Sequence, residues 1–289
     1  MHCSPTSAHV SWLRVTDVNA RLVDELVAGG IERREARWLV EEFVPGSDEG
    51  ARDALMSAAR RRREGEPLQY IIGHWPFRSL DLDVDERALI PRPETEELVG
   101  VALSELAVGH ANAPLIVDLG TGSGAIGLSI LSELKTRGIM ATLVALDESS
   151  DALALARQNA HKHQLSAVSF VQSSWFASLD PSLRGRIDLI VANPPYVDEA
   201  EFSTLDPVLH YEPRGALVAE SKSGVGGFAD LAVVIDESFA WLGASGVLVC
   251  EHGEQQRDAV LDAARRAGYS EAHDLNDAAG LARVLVARR

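Results

Sequence analysis

The chain has 289 residues, which suggests two domains, and its 46% hydrophobic and 24% charged residues are typical of globular proteins rather than disordered chains. It carries 27 Lys and Arg against 43 Asp and Glu, so a net charge of −16 disfavours broad binding to DNA or RNA phosphates. The charge is uneven: the net charge is −1 over residues 1–78 and −15 over residues 79–289.

Cysteine content and hydropathy indicate a compartment. Cys3 and Cys250 are too few for a disulfide framework or a cysteine-based metal site, so no metal is expected. The first residues contain no apolar segment like that of a signal peptide, and no apolar run approaches the roughly 18 residues of a membrane span. We therefore expect a cytoplasmic protein that does not bind a membrane.

Residues 16–63 have the apolar spacing of helices. The last of these helices ends in Arg60, Arg61, Arg62 and Arg63, where cations stabilise the helix dipole. This run is interpreted either as a solvated helix end or as a contact patch for a protein partner. Residues 1–66 are assigned to a helical, partner-recognition domain.

The segment over residues 67–90 changes character. Residues 70–73 have a strand-like composition, and residues 80–84 alternate with a period of two, which predicts a β-hairpin linker. Beyond it, Pro93 followed by acidic residues predicts the start of a helix.

From residue 114 onwards, short apolar runs alternate with helical periodicity, for instance at residues 151–161. The apolar runs lie at residues 115–118, 142–147, 168–172, 187–192 and 246–250. This alternation predicts an α/β fold with a parallel sheet covered by helices on both faces. Ligands bind such sheets at the carboxyl ends of the strands, near the switch in strand order.

A glycine-rich loop, Asp-Leu-Gly-Thr-Gly-Ser-Gly at residues 118–124, follows the first of these strands. Backbone N–H groups of such a loop can approach a ligand closely. Asp147, at the end of the next strand, can accept hydrogen bonds from ribose hydroxyls. The pattern indicates a site for a nucleoside-containing cofactor, with loop contacts from Gly120, Thr121, Gly122, Ser123 and Gly124.

The loop alone leaves two cofactors open. Residues 122–127 satisfy the G-x-G-x-x-G pattern of NAD-binding proteins. Asp118, placed before the glycines, instead fits the D/E-x-G-x-G-x-G form of S-adenosylmethionine-binding loops. An acidic residue beside the loop suits the ammonium and sulfonium charges of that cofactor.

The strand at residues 187–192 ends in Asn193-Pro194-Pro195-Tyr196. The prolines fix the backbone and remove two N–H donors, which leaves Asn193 Oδ1 and the Pro194 carbonyl as acceptors for a planar NH2 group. Tyr196 can stack on that group. Such acceptors aim the nitrogen lone pair at a methyl group and stabilise the developing charge, so methyl transfer is favoured. The predicted catalytic residues are Asn193, Pro194 and Tyr196.

At this point the chain resembles the HemK/PrmC family of S-adenosylmethionine-dependent N5-glutamine methyltransferases, which act on peptide-chain release factors. The resemblance begins near residue 50 and is carried by residues 65–73, 89–96, 118–124, 193–196, 211–214, 251–253 and 277–280. It implies a Rossmann-like, seven-stranded class I methyltransferase domain over residues 91–289, preceded by a small helical domain and a hairpin. The implied substrate is the glutamine of a Gly-Gly-Gln motif in a release factor, whose methylation modulates translation termination.

The resemblance also implies roles for individual residues. The glycine loop would hold the methionine part of S-adenosyl-L-methionine, Asp147 its ribose and Trp175 its adenine. Asn193 would lie between cofactor and substrate, and Asn193, Pro194, Pro195 and Tyr196 would hold the glutamine side chain. One departure is Ser174, where the family often has an acid; its hydroxyl is a weaker acceptor for the adenine amine.

Three alternatives remain at this level. The substrate could be a glutamine of a ribosomal protein, or an exocyclic amine of DNA or ribosomal RNA, whose NH2 group would satisfy the same acceptors. The net charge of −15 over residues 79–289 counts against a nucleic-acid substrate, and no direct nucleic-acid partner is expected. A protein that keeps the cofactor only as a sensor ligand is the third alternative.

Overall fold

The computed structural model describes residues 7–44, 50–109 and 113–289, which form two compact units. The first contains the described residues up to Gly73 together with Pro207–Tyr211; the second contains His74–Asp206 and Glu212–Arg289. Of the residues assigned to the hairpin linker, 67–73 belong to the first unit and 74–90 to the second. Cys3 lies outside the described residues.

The first unit is helical. Its helices are α1 (Ser7–Ala28), α2 (Arg33–Phe43), α3 (Ala51–Arg63) and α4 (Leu68–Ile72), with a 3₁₀ turn at Pro207–Tyr211. Buried aliphatic side chains from all four helices form one core that includes Leu26, Leu39, Leu55 and Ile71. The strand-like interpretation of residues 70–73 is wrong, because Leu68 and Ile71 bury one face of α4 in this core and Gly73, at φ 86°, ends the helix.

The arginine run at the end of α3 divides into two pairs. Arg61 Nε donates to Glu66 Oε2 at 2.7 Å, and Arg62 Nε donates to Glu35 Oε2 at 2.9 Å. Arg60 and Arg63 are exposed. Two of the four guanidinium groups are thus held in ion pairs within the unit, and the other two belong to exposed residues.

The second unit opens with an antiparallel hairpin of β1 (His74–Phe77) and β2 (Leu80–Asp83). Its helices are α5 (Thr95–Gly109), α6 (Ala125–Thr136), α7 (Ser150–Lys162), α8 (Glu199–Phe202), α9 (Ala229–Trp241) and α10 (Arg257–Ala267). Phe77, Leu80 and Leu82 are buried, and Asn159 Oδ1 on α7 accepts from Asp83 N at 2.7 Å. The hairpin is therefore fastened to α7.

The predicted seven-stranded sheet is confirmed. In chain order its strands are β3 (Leu115–Leu119), β4 (Thr142–Asp147), β5 (Val168–Gln172), β6 (Ile187–Ala192), β9 (Leu242–Glu251), β10 (Glu271–Asn276) and β11 (Ala282–Arg288). They lie in the order β10-β11-β9-β6-β3-β4-β5. Strands β3, β4, β5, β6 and β9 are parallel, whereas β11 is antiparallel to both β9 and β10. A short parallel pair, β7 (Val197–Asp198) and β8 (Val218–Ala219), forms a separate sheet.

The strand order reverses at the centre of the sheet. The chain runs outward from β3 to β4 and β5, then returns to place β6 on the other side of β3. Right-handed crossovers in opposite directions put α6 and α9 on opposite faces of the sheet. The connections that follow β3 and β6 therefore leave in opposite directions and form a crevice at the carboxyl ends of these two strands, and both sequence motifs follow them.

Among the described residues, no helix combines the length and the apolar character needed to cross a membrane.

Candidate active site

A cavity of about 330 Å³ lies at the carboxyl ends of the central strands, within the size range of small-molecule sites. The predicted site residues that line it are Gly120, Thr121, Gly122, Ser123, Asp147, Trp175, Asn193, Pro194 and Pro195. Gly124 and Tyr196 are not among its lining residues. The structure therefore brings both sequence motifs to one cavity within the second unit.

The glycine loop connects β3 to α6 through left-handed backbone conformations. Gly120, Gly122 and Gly124 have φ values of 68°, 55° and 86°, which side chains of L-residues rarely adopt. A Cβ on Gly124 would lie 2.6 Å from Leu128 Cδ1 and 3.4 Å from Ala156 Cβ, so Gly124 lies against α6 and α7 rather than lining the cavity.

The Asp118 carboxyl group anchors the glycine loop through hydrogen bonds. Its Oδ2 accepts from Thr121 Oγ1 at 2.6 Å and from Gly127 N at 3.0 Å, and the residue is fully buried. Its Oδ1 has no hydrogen-bond partner among the described residues, and burial raises the pKa of the carboxyl to about 6. Asp118 does not line the cavity, so its observed role is to fasten the loop to α6.

Asp147 ends β4 and lines the cavity. Its Oδ2 accepts from Gly122 N and its Oδ1 from Ser149 N, both at 2.9 Å. Each oxygen keeps a further lone pair that can accept a hydroxyl hydrogen. Burial raises the pKa of this carboxyl, while the backbone N–H donors oppose that shift.

Trp175 presents its indole to the same cavity. Its Nε1 donates to Asp230 Oδ1 at 3.2 Å, and its backbone has φ 46°. A Cβ on Gly120 would lie 3.7 Å from the indole Cζ3, so the ring lies against the glycine loop. The glycine loop, the Asp147 carboxylate and the Trp175 indole therefore line the same cavity.

Asn193 belongs to a hydrogen-bond network that sequence reasoning missed. Asn193 Nδ2 donates to Thr95 Oγ1 at 3.3 Å, and Thr95 Oγ1 donates to Glu251 Oε2 at 2.7 Å. Thr95 lines the cavity, whereas Glu251 is 2% exposed. Both lie in stretches that carry the family resemblance, and Glu251 ends the strand beside β6, which was the available signal.

Tyr196 occupies a different place from the one expected. Its hydroxyl donates to Glu251 Oε1 at 3.3 Å, and burial raises the pKa of the phenol. Its aromatic ring packs against the core of the second unit. The described contacts of Tyr196 support the segment after Asn193, and its predicted stacking on substrate stays a prediction.

The backbone after Asn193 is held in place by the side chain of Gln256. Gln256 is 4% exposed, and its Nε2 donates to the Tyr196 carbonyl at 3.3 Å and to the Gly226 carbonyl at 2.8 Å. Its Oε1 accepts from Gly253 N at 3.0 Å. One buried amide therefore joins three backbone segments beside the cavity.

Arg92 also lines the cavity, from the segment that precedes α5. It forms an ion pair with the buried Glu212, whose Oε2 accepts from Ile90 N at 2.9 Å. This pair fixes the segment that delivers Thr95 to the network.

Sequence comparisons agree with this geometry. The methyltransferase small domain family matches residues 101–210. A release factor glutamine methyltransferase of Haemophilus influenzae is 42% identical over 74% of this chain and 72% of its own length. One from Escherichia coli K12 is 35% identical over 96% of this chain and 97% of its own length. The chain belongs to the release factor glutamine methyltransferase family.

Membership of the release factor glutamine methyltransferase family decides between the two cofactors that the glycine loop left open. The protein is a methyltransferase that uses S-adenosylmethionine, rather than an NAD-binding protein or a sensor of the cofactor.

Solved structures support the same fold. The human METTL16 catalytic domain, in complex with an RNA hairpin, has a TM-score of 0.55 and 14% identity over 92% of this chain and 90% of that one. The N-terminal domain of human METTL16 in complex with SAH has a TM-score of 0.52 and 13% identity over 84% of this chain and 83% of that one. At these identities the likeness concerns the fold alone.

Proposed function

We propose that this protein transfers the methyl group of S-adenosylmethionine to the side-chain amide nitrogen, N5, of the glutamine in the Gly-Gly-Gln motif of peptide-chain release factors. The observation that carries the proposal is the position of Asn193 and Pro194 on the cavity that the glycine loop also lines. The names of the relatives support release factors as the substrate class.

When bound, S-adenosylmethionine supplies an electrophilic methyl group on a sulfonium. In this proposal, Gly120, Thr121, Gly122 and Ser123 hold its methionine part. Asp147 accepts hydrogen bonds from the ribose hydroxyls, and Trp175 stacks beside the adenine. These residues form one wall of the cavity and fix the cofactor relative to Asn193.

The amide nitrogen of glutamine is a poor nucleophile because its lone pair is delocalised. Asn193 Oδ1 and the Pro194 carbonyl each accept one of its hydrogens, which favours pyramidalisation and turns the lone pair toward the methyl group. As positive charge develops on the nitrogen, the same two acceptors stabilise it. The proton can leave after transfer, so no strong general base is required.

A nucleobase NH2 group would meet the same two acceptors, as would a glutamine of a ribosomal protein. The net charge of −15 over residues 79–289 opposes a nucleic-acid substrate, because such enzymes usually present a basic face. We therefore propose release factors as protein partners without direct nucleic-acid contact. Since release factors act at ribosomes, we also propose a cytoplasmic location.

A competition experiment tests this function. The enzyme is incubated with labelled S-adenosylmethionine and a mixture of release factors, ribosomal proteins and RNA, and the methyl group is located by mass spectrometry. The expected label is on the glutamine of Gly-Gly-Gln. Label on RNA alone, or on a ribosomal protein alone, would contradict the proposal.

A further inference from the structure

The orientation of the Asn193 side-chain amide is set by Thr95, which contacts it, and by Glu251, which contacts Thr95. A threonine hydroxyl has one hydrogen, and the Thr95 hydrogen is directed to Glu251 Oε2 at 2.7 Å. Thr95 Oγ1 then has only lone pairs to offer to Asn193. The group of Asn193 that meets Thr95 must be its NH2, as the 3.3 Å contact from Nδ2 has it.

Glu251 is an acceptor at both of its oxygens. Oε2 accepts from Thr95 and Oε1 accepts from the Tyr196 hydroxyl. Burial raises the pKa of the Glu251 carboxyl, while the hydrogen bonds from Thr95 and Tyr196 and the charge of Arg283 oppose that shift. Because Glu251 is 2% exposed, water does not compete for these bonds, and its two donors each have a defined direction.

We propose that Thr95 and Glu251 are positioning residues that hold Asn193 with Oδ1 toward the cavity, so that the site selects a side-chain amide over a carboxylate. This inference rests on the proposed function, since it concerns the glutamine amide. It assigns Thr95 and Glu251 no contact with the reacting atoms.

The preference for an amide follows from the number of hydrogen-bond donors that each side chain offers to the site. A glutamine NH2 offers two donors to Asn193 Oδ1 and the Pro194 carbonyl, whereas a glutamate places an oxygen against both acceptors. A site built to accept N–H bonds rejects an analogue that lacks them, because its polar groups are left unpaired. If the Asn193 amide could rotate by a half turn, its NH2 would face the cavity and accommodate a carboxylate.

The test compares binding of two short peptides, one with Gly-Gly-Gln and one with Gly-Gly-Glu, in the presence of S-adenosylhomocysteine, which cannot donate a methyl group. Titration calorimetry gives the ratio of the two dissociation constants for the wild type, Thr95→Val and Thr95→Ser. We expect the wild type to prefer the glutamine peptide. Thr95→Val should reduce this preference by about tenfold, with weaker glutamine binding and unchanged or tighter glutamate binding. Thr95→Ser keeps the hydroxyl and should retain the preference.

A matched control removes another buried hydroxyl. Ser129 on α6 is fully buried, and its Oγ has no hydrogen-bond partner among the described residues, so Ser129→Ala should leave the ratio unchanged. If Thr95→Val weakens both peptides equally, Thr95 is only structural and the inference is overturned while the proposed function stands. If the wild type itself does not prefer the glutamine peptide, the proposed function fails, and the inference fails with it.

Discussion

At the scale of single residues, the side chains that follow strands were predictable and those that support them were not. Asp147 and Asn193 were predicted because ligands bind α/β sheets at the ends of strands, whereas Trp175 was predicted only from the family resemblance. Asn193 meets Thr95 across 98 residues, and Thr95 meets Glu251 across 156 residues. Such pairs depend on which strands become neighbours, and local periodicity carries no information about that order.

Asn193→Ala tests the central residue. Removing Oδ1 takes away one of the two acceptors proposed for the amide, so methyl transfer should fall by about 100-fold or more. Cofactor affinity should fall less, because Asp147, Trp175 and the glycine loop remain. Single-turnover transfer to a release factor and calorimetric binding of S-adenosylhomocysteine measure the two effects. Unchanged turnover would refute the role of Asn193.

The titration of Asp118 is expected to make the free energy of unfolding depend on pH. Its folded-state pKa of about 6 lies above its ordinary value of 3.8, so between these pH values the folded protein holds the proton more tightly. The unfolding free energy contributed by Asp118 therefore falls as pH rises through this window, by about 3 kcal/mol in total. Asp118→Asn keeps an acceptor for Thr121 and Gly127 but cannot ionise.

The measurement is urea unfolding of the wild type and Asp118→Asn at several pH values from 4 to 7. Relative to the variant, the wild type should lose stability steadily as the pH rises. Asp151→Asn, at an exposed position on α7, controls for the loss of one carboxylate. A constant difference between wild type and Asp118→Asn across this range would rule out the raised pKa.

At the scale of elements, the parallel strands could be predicted from short apolar runs. Three runs have the bounds of β4, β5 and β6, whereas β3 ends one residue later and β9 begins four residues earlier and ends one residue later. Strands β10 and β11 are not among the predicted runs, and two of the differences have a physical reason. Residues 70–73 are rich in β-favouring side chains, yet burial of Leu68 and Ile71 in a helical core decides their conformation. Strand β10 has no fully buried residue because it lies at the edge of the sheet, so its apolar signal is weak.

The turn at residues 222–227 supports the segment after Asn193, and two of its glycines make a matched pair. A Cβ on Gly227, at φ 60°, would lie 2.1 Å from the Tyr196 carbonyl oxygen. A Cβ on Gly224, at φ 80°, would meet nothing within 4 Å. Alanine at either position carries the strain of a left-handed conformation, but only at Gly227 must neighbouring backbone move as well.

Gly227→Ala should therefore displace the Asn193–Tyr196 segment and lower methyl transfer by about tenfold or more, while S-adenosylhomocysteine binding changes less. Gly224→Ala should leave both nearly unchanged, with a loss of stability of about 1–2 kcal/mol from backbone strain alone. Transfer assays, calorimetry and urea unfolding on both variants separate these effects. Equal losses of transfer in the two variants would argue against the support role of Gly227.

At the scale of the whole molecule, the uneven distribution of charge along the chain can be related to the proposed ligands. The residues with a net charge of −15 contain the cavity for a cationic cofactor and, in the proposed reaction, a neutral amide. Neither ligand requires a basic surface. The nearly balanced first 78 residues are the better candidate for electrostatic contact with a protein partner, and the arginines at the end of α3 are their densest cationic cluster.

The structure leaves two of these four arginines, Arg60 and Arg63, as candidates for contact with the release factor. Arg61 and Arg62 are paired with Glu66 and Glu35, so reversing their charge would also disturb the first unit. Arg60 and Arg63 are exposed, and the double variant Arg60→Glu, Arg63→Glu leaves both ion pairs in place. If these side chains bind the release factor, this variant should lower kcat/KM for the intact factor by about tenfold and leave that for a short Gly-Gly-Gln peptide nearly unchanged.

The double variant Arg186→Glu, Arg266→Glu makes the same change of charge on exposed residues of the second unit and should affect the two substrates alike. Because contacts between exposed charges are screened by salt, the difference between intact factor and peptide should shrink as ionic strength rises. Equal effects of the Arg60 and Arg63 reversal on both substrates would identify the arginine run as a solvated helix end.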